Sequence, residues 1–189
     1  MKNTIIISAF PACGKSYMCK HYNNKPYSMI DSDSSKFSWI YENGVKTNKR
    51  NPNFIPDYIK HIKENIGKVD VIFVSSHSEV RKALRENNLK YFIVYPSLDM
   101  KDEMLKRMKE RGNDESFIKF QQDNYEKFIT EIMEECELYS GVKIEDDGHM
   151  VSKPCLDNKL NINNPYINIE LIEVLFDTGT GNLSFMWWN

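Results

Sequence analysis

Ile5-Ile6-Ile7-Ser8-Ala9-Phe10-Pro11-Ala12-Cys13-Gly14-Lys15-Ser16 decides the fold. An apolar run of β-branched residues reads as a buried strand, and a Gly-Lys-Ser turn follows it and opens a segment that reads as a helix. A strand, a glycine-containing turn and a helix N-terminus in that order form an anion site. Backbone N–H groups of the loop converge on a phosphate and the helix dipole favours negative charge there. Lys15 reaches the β- and γ-phosphates of a nucleotide, and the Ser16 hydroxyl ligates Mg²⁺. Pro11, Ala12, Cys13, Gly14, Lys15, Ser16 and Tyr17 are the expected nucleotide contacts. Ala9 stands where the usual G-x-x-x-x-G-K-[ST] pattern has its first glycine, which makes a left-handed backbone at that residue unfavourable.

Outward from this loop the pattern alternates strands and helices. Thr4 to Ala9 is the first strand and Lys15 to Tyr22 the first helix. Tyr27 to Ile30 is a second strand, ending in Asp31-Ser32-Asp33, and a segment of loop with short helix runs from there through Asn53. Ile55 to Ile66 reads as a helix with Ile55, Ile59, Ile62 and Ile66 on one face. Val69 to Val74 is a third strand, buried on both faces, and His77 to Glu86 a helix. Tyr91 to Tyr95 is a fourth strand, stopped by Pro96. Asp99 to Arg111 is a helix capped by Asp99; Gly112-Asn113-Asp114 breaks it, and a long helix opens at Ser116. Val142-Lys143-Ile144 is a candidate fifth strand. Such alternation implies an α/β fold with a parallel sheet and right-handed crossovers, whose ligands bind beyond the carboxyl ends of the strands.

Residues 1–147 form the expected phosphate-loop domain. Residues 148–189 form an extension that packs on the same domain and carries a β-hairpin: Ile167 to Phe176 and Leu183 to Trp188 flank the Gly-rich turn Asp177 to Asn182. Its apolar end, Phe185-Met186-Trp187-Trp188, calls for cover by the body or by a partner, including a second copy of the chain.

The 189 residues are 41% apolar and 28% charged, as in a soluble globular protein. The net charge of −2 argues against a broad nucleic-acid surface, while leaving room for a local basic groove. Four dispersed cysteines and four histidines match no zinc spacing, which points to free thiols in a reducing compartment. Cys13 lies inside the loop, where backbone donors and Lys15 would activate a thiol; a small loop residue is the plainer account. No run approaches the ~20 apolar residues of a membrane span, and no signal-peptide pattern precedes the first strand, so a cytoplasmic location is expected.

Three further groups carry chemistry. Arg107 and Arg111, four apart, share one helix face before the Gly112 joint. They suit a lid around residues 107–116 that closes over phosphates, or a solvated basic face with Lys101, Lys106 and Lys109. Asp31 and Asp33 end the second strand beside the loop. Either carboxylate can hold a water of Mg²⁺ or deprotonate an acceptor hydroxyl; the run Asp31 to Ser35 also suits a helix cap. The third strand ends in Ser75-Ser76-His77 instead of the Asp common in phosphate-loop ATPases, which disfavours a motor ATPase. Ser76, His77 and Arg81 are candidates for acceptor contacts, with Arg85 one turn beyond. Trp39 offers a stacking surface for a base or sugar, and its spacing from Phe37 and Tyr41 also suits core.

Together these residues resemble the phosphate-loop kinases of the nucleoside-monophosphate-kinase-like group, which includes small phage-type nucleotide kinases and gluconate-type metabolite kinases. The resemblance rests on Ala9 to Ser16, Asp31 to Asp33, Ser75-Ser76-His77 with Arg81, and Arg107-x-x-x-Arg111-Gly112, and covers about residues 1–145. It implies a five-stranded parallel sheet in the order 2-3-1-4-5 and a phosphotransferase using ATP and Mg²⁺. Lys15 and the lid arginines would act on the transferring group and Ser16 on the metal. The acceptor is expected to be a nucleoside or nucleotide. The alternatives are a metabolite or polynucleotide-end hydroxyl kinase with an Asp base, or a nucleotide-binding regulator.

Overall fold

The computed structural model describes residues 4–22, 27–140 and 183–187. Among the described residues, seven strands and six helices alternate much as the pattern predicts. They are β1 (Ile5–Ala9), α1 (Lys15–Tyr22), β2 (Met29–Asp31), α2 (Ser35–Ser38), β3 (Trp39–Glu42), β4 (Val45–Arg50), α3 (Phe54–Asn65), β5 (Val71–Ser75), α4 (Ser78–Glu86), β6 (Phe92–Pro96), α5 (Lys101–Glu110), α6 (Glu115–Ser140) and β7 (Leu183–Trp187). One sheet has the order β2-β5-β1-β6-β7, and its first four strands form the parallel part. A second, two-stranded sheet pairs β3 with β4.

The expected order 2-3-1-4 therefore holds for the four parallel strands, and the fifth place is different. Val142-Lys143-Ile144 lies outside the described residues. The place beside β6 belongs to β7, which runs antiparallel with Phe92 opposite Trp187 and Pro96 opposite Leu183. The expected partner hairpin strand, Ile167 to Phe176, also lies outside the described residues.

Two compact units divide the chain: Met1–Ser8 with Lys15–Tyr91, and Ala9–Gly14 with Phe92–Asn189. In the first unit, β2 and β5 run parallel with Met29 opposite Val71 and Asp31 opposite Phe73. Val71 to Val74 are fully buried, as a strand covered on both faces requires. Helix α3 buries Phe54, Tyr58, Ile59 and Ile62. Its stripe is thus rotated from the expected isoleucine face: Ile55 is half-buried, and Ile66, past the helix end with extended backbone, is exposed. The two aromatic rings bury more area than the isoleucines they displace, and Phe54 stacks on Tyr58 with centroids 5.7 Å apart.

The segment expected as loop through Asn53 holds an antiparallel hairpin. Asn43 and Gly44 join β3 to β4 with φ of 51° and 79°. Two consecutive left-handed residues make the turn whose twist matches paired strands, and Asn-Gly is the pair that favours it. Tyr41 stands opposite Lys46 and Trp39 opposite Arg50, with an irregular register between them. Asn51 anchors the base of the hairpin: its N–H donates to the Ser38 carbonyl at 3.0 Å, and its amide donates to the Phe37 carbonyl at 2.9 Å.

In the second unit, Ile93 and Val94 of β6 are fully buried, as are Met104, Met108, Tyr125 and Ile129 of α5 and α6. Tyr125 donates to the Ser97 carbonyl at 2.8 Å, and its ring meets Phe10 edge-on at 5.7 Å. Asp99 is not the cap of α5. It sits in a 3-10 turn, Leu98–Met100, accepts from the Ser97 hydroxyl, and leaves α5 to start at Lys101. Asp114 caps α6 instead, accepting from the Phe117 N–H at 2.8 Å.

Candidate functional site

The loop after β1 has its left-handed residues at Ala12 (φ 64°) and Gly14 (φ 89°). Ala9 is buried as the last residue of β1 and needs no positive φ, so alanine in place of glycine there carries no backbone cost. The Cys13 N–H donates to the Phe10 carbonyl at 3.2 Å, which closes the turn. Cys13 is buried, as a packed loop residue is, rather than presented to solvent as a reactive thiol. The chain then enters α1 at Lys15 and Ser16.

In the first unit, the carboxyl ends of three strands meet. The Ser8 hydroxyl donates to the Ser75 carbonyl at 3.1 Å, tying the end of β1 to the end of β5. The Ser32 N–H donates to the Phe73 carbonyl at 2.9 Å, extending the β2–β5 ladder past Asp31. Buried Tyr58, reaching up from α3, donates to the Ser32 carbonyl and accepts from the Ser75 N–H at 3.2 Å. Burial drives its pKa well above the ordinary tyrosine value, and the nearby carboxylates Asp31 and Asp33 push the same way, so the hydroxyl stays a donor.

The Ser16 hydroxyl donates to Asp31 Oδ2 at 2.5 Å. This contact separates the roles of the two aspartates. Asp31 joins Ser16, in the first turn of α1. Asp33 is exposed and oriented by Ser35, whose N–H and hydroxyl each donate to its carboxylate at 2.9 Å. Among the described residues no group of three or more His, Cys, Asp and Glu side chains forms a metal cage. Ser16 and Asp31 supply two hard oxygen donors, which fits Mg²⁺, an ion that keeps waters and binds through few carboxylates plus phosphate. Cys19, one turn into α1, has its thiol pushed up to about 12 by burial and then by Asp31, which keeps it protonated.

Ser76 is buried, and its carbonyl accepts from the guanidinium of Arg81, itself buried on α4. Arg85 donates to the Tyr91 hydroxyl at 3.0 Å. Arg81 and Arg85, expected on the acceptor side, thus both have protein partners. His77 precedes α4 with an exposed edge. Burial of its packed side holds its pKa below the ordinary 6.5; Glu79 opposes this, and Arg50, Lys15 and Arg81 reinforce it. Arg50 enters the field of His77 from the β3–β4 hairpin, a neighbour the sequence reading did not include.

Trp39 is half-buried at the start of β3, with Lys46 Nζ and Arg50 Cζ each 4.6 Å from its ring centroid. In the second unit, α5, the left-handed Gly112 and α6 form the expected helix–loop–helix. Arg107 Nε donates to Glu103 at 2.8 Å, and Arg111 Nε to Asn113 Oδ1 at 3.1 Å. Among the described residues no helix is long and apolar enough to cross a membrane.

Comparison with protein-family models, with curated proteins and with solved structures returned no match.

Proposed function

We propose that this protein is a phosphotransferase that moves the γ-phosphoryl group of ATP to the hydroxyl of a nucleoside-type acceptor. The observation that carries this reading is the Ser16–Asp31 hydrogen bond, directly after a loop with left-handed Ala12 and Gly14 and its lysine at Lys15. The same residues resemble the phosphate-loop kinases of the nucleoside-monophosphate-kinase-like group, and the four-strand parallel order is the one that group has.

Lys15 offsets charge on the phosphoryl oxygens. Ser16 and Asp31 would hold Mg²⁺, which supplies neutralisation of the phosphate charge when bound. The acceptor hydroxyl oxygen attacks the γ-phosphorus; a new O–P bond forms, the bond to the β–γ bridging oxygen breaks, and ADP leaves. The hydroxyl proton passes to Asp33, whose carboxylate keeps lone pairs free beyond those used by Ser35. The resemblance implies a lid role for Arg107 and Arg111, which in the second unit donate to Glu103 and Asn113.

The engagement of Arg81 with Ser76 and of Arg85 with Tyr91 favours a hydroxyl over a monophosphate acceptor, because a monophosphate needs arginines to hold it. The test is an acceptor screen with γ-labelled ATP. Transfer to a nucleoside-type hydroxyl, abolished in Lys15→Ala and lowered about 100-fold in Asp33→Asn, is expected. Full transfer by Lys15→Ala overturns the reading. Transfer confined to monophosphates, indifferent to Asp33→Asn, moves it to the other acceptor class.

A further inference from the structure

The segment from Lys36 to Arg50 departs from the rest of the chain. It holds Lys36, Lys46, Lys49 and Arg50 against a single acid, Glu42, within a protein of net charge −2. Glu42 pairs with Lys49 at 3.6 Å. Lys46 and Arg50 have no acidic partner among the described residues, and both are exposed. They are also ordered: each stands 4.6 Å from the centre of the Trp39 ring, so the hairpin presents two positive charges at fixed places. Opposite Lys46 stands Tyr41, a large ring 43% exposed. Two cations held against the half-buried Trp39 ring, with the exposed Tyr41 ring beside them, make a surface suited to single-stranded nucleic acid: Tyr41 stacks a base and the cations meet phosphates.

The direction of the hairpin adds to this. Its tip, Asn43-Gly44, points along the strands away from Arg50, whereas Arg50 contributes to the electrostatic field of His77 together with Lys15. Arg50 at the base of the hairpin and Lys15 thus both act on His77. A free nucleoside needs no phosphate contacts; this face offers two cations beside the exposed Tyr41 ring.

We propose that the β3–β4 hairpin, through Tyr41, Trp39, Lys46 and Arg50, binds a short single strand of nucleic acid. The terminal sugar hydroxyl of that strand is then the phosphoryl acceptor. The second statement rests on the phosphotransferase reading above; the first does not, because strand binding is measured without ATP.

The probe is a labelled oligothymidylate of about eight nucleotides, titrated with the full chain and followed by fluorescence anisotropy. The expected results are binding whose logarithm falls with the logarithm of salt at a slope of about −1.4, from two phosphate contacts. Tyr41→Ala should weaken it about tenfold while Tyr41→Phe restores it. Lys46→Gln should reduce the slope by about 0.7. Unchanged thermal midpoints would show that these exposed substitutions leave the fold intact. Absence of binding by the wild-type chain at low salt overturns the proposal, as does full affinity in Tyr41→Ala combined with Lys46→Gln. Lys46-dependent binding to phosphatidylserine vesicles or to polyglutamate, with none to the strand, also overturns it. Strand binding with no label transfer to any acceptor would support the hairpin platform and sink the phosphotransferase reading alone.

Discussion

The Ser16 hydroxyl donates to Asp31 Oδ2 across 2.5 Å, so the residue that follows Lys15 is held by the carboxylate at the end of β2, a strand separated from β1 by β5. β5 ends in Ser75 and is followed by Ser76 and His77, with no carboxylate there. Under the proposed phosphotransferase reading, Asp31 on β2 is the candidate carboxylate on the metal side. Asp31→Asn keeps an oxygen that can accept from Ser16 but removes the charge. The expected outcome is a roughly 10- to 100-fold rise in the Mg²⁺ concentration needed for half-maximal turnover. Binding of ATP without metal should change little. An unaltered Mg²⁺ requirement would separate Asp31 from the metal.

The loop stores backbone strain in one residue. Ala12 lies at φ 64°, where an L-residue with a Cβ costs about 1–2 kcal/mol. Ala12→Gly should relieve that strain and lose part of the gain to the freer unfolded chain, for a net stabilisation of up to ~1 kcal/mol. Gly14→Ala should do the reverse. Gly14 lies at φ +89°, and a Cβ there meets nothing within 4 Å, so the cost is backbone strain alone. A drop of about 1–2 kcal/mol, or roughly 2–8 °C in melting temperature for a chain of this size, is expected. Thermal unfolding of the two variants checks both signs.

Much of this was readable from residue order. β1, β2, β5 and β6 are short apolar runs with turn residues at their ends, and burial on both faces leaves such runs few other solutions. The carboxyl-end placement of Asp31, Ser75 and His77 followed from the alternation. The hairpin was hidden although Asn43-Gly44 announced it: Val45 to Arg50 is polar and almost wholly exposed, so no buried alternation marked it as a strand. Tyr58 was hidden for a different reason. Its hydroxyl joins Ser32 and Ser75, 26 and 17 residues away, and nothing local in an amphipathic helix distinguishes it from a packing tyrosine. The pairing of β7 with β6 is likewise a long-range choice among strands that local pattern does not rank.

Tyr58→Phe tests how far that hydroxyl holds the strand ends together. The substitution keeps the ring and its packing on Phe37 and Phe54, with centroids 5.2 and 5.7 Å away. It leaves the Ser32 carbonyl and the Ser75 N–H without their shared partner. A loss of about 1–3 kcal/mol in urea unfolding is expected, together with weaker Mg²⁺-dependent turnover, because Asp31 directly precedes Ser32. Stability equal to wild type would show that water replaces the hydroxyl at no cost.

The pH dependence of stability follows from His77 and His61. Both are held below the ordinary 6.5, His77 by burial and then by Arg50, Lys15 and Arg81 against Glu79, and His61 by burial and then by Lys36 against Glu64. Between 6.5 and the lower folded value, the unfolded chain binds more protons than the folded one. Unfolding free energy therefore rises with pH across that window. The stabilisation is fully present above 6.5, falls as the solution is acidified through 6.5, and levels off once the folded imidazoles are protonated. Replacing His77 with Gln removes one of these two rings, so urea unfolding between pH 7 and 5 should show a shallower slope. Arg50→Gln should narrow the window from below, because withdrawing a cation from the field of His77 raises its folded value toward 6.5. A steeper slope in His77→Gln would mean that the neutral ring is not what the fold prefers.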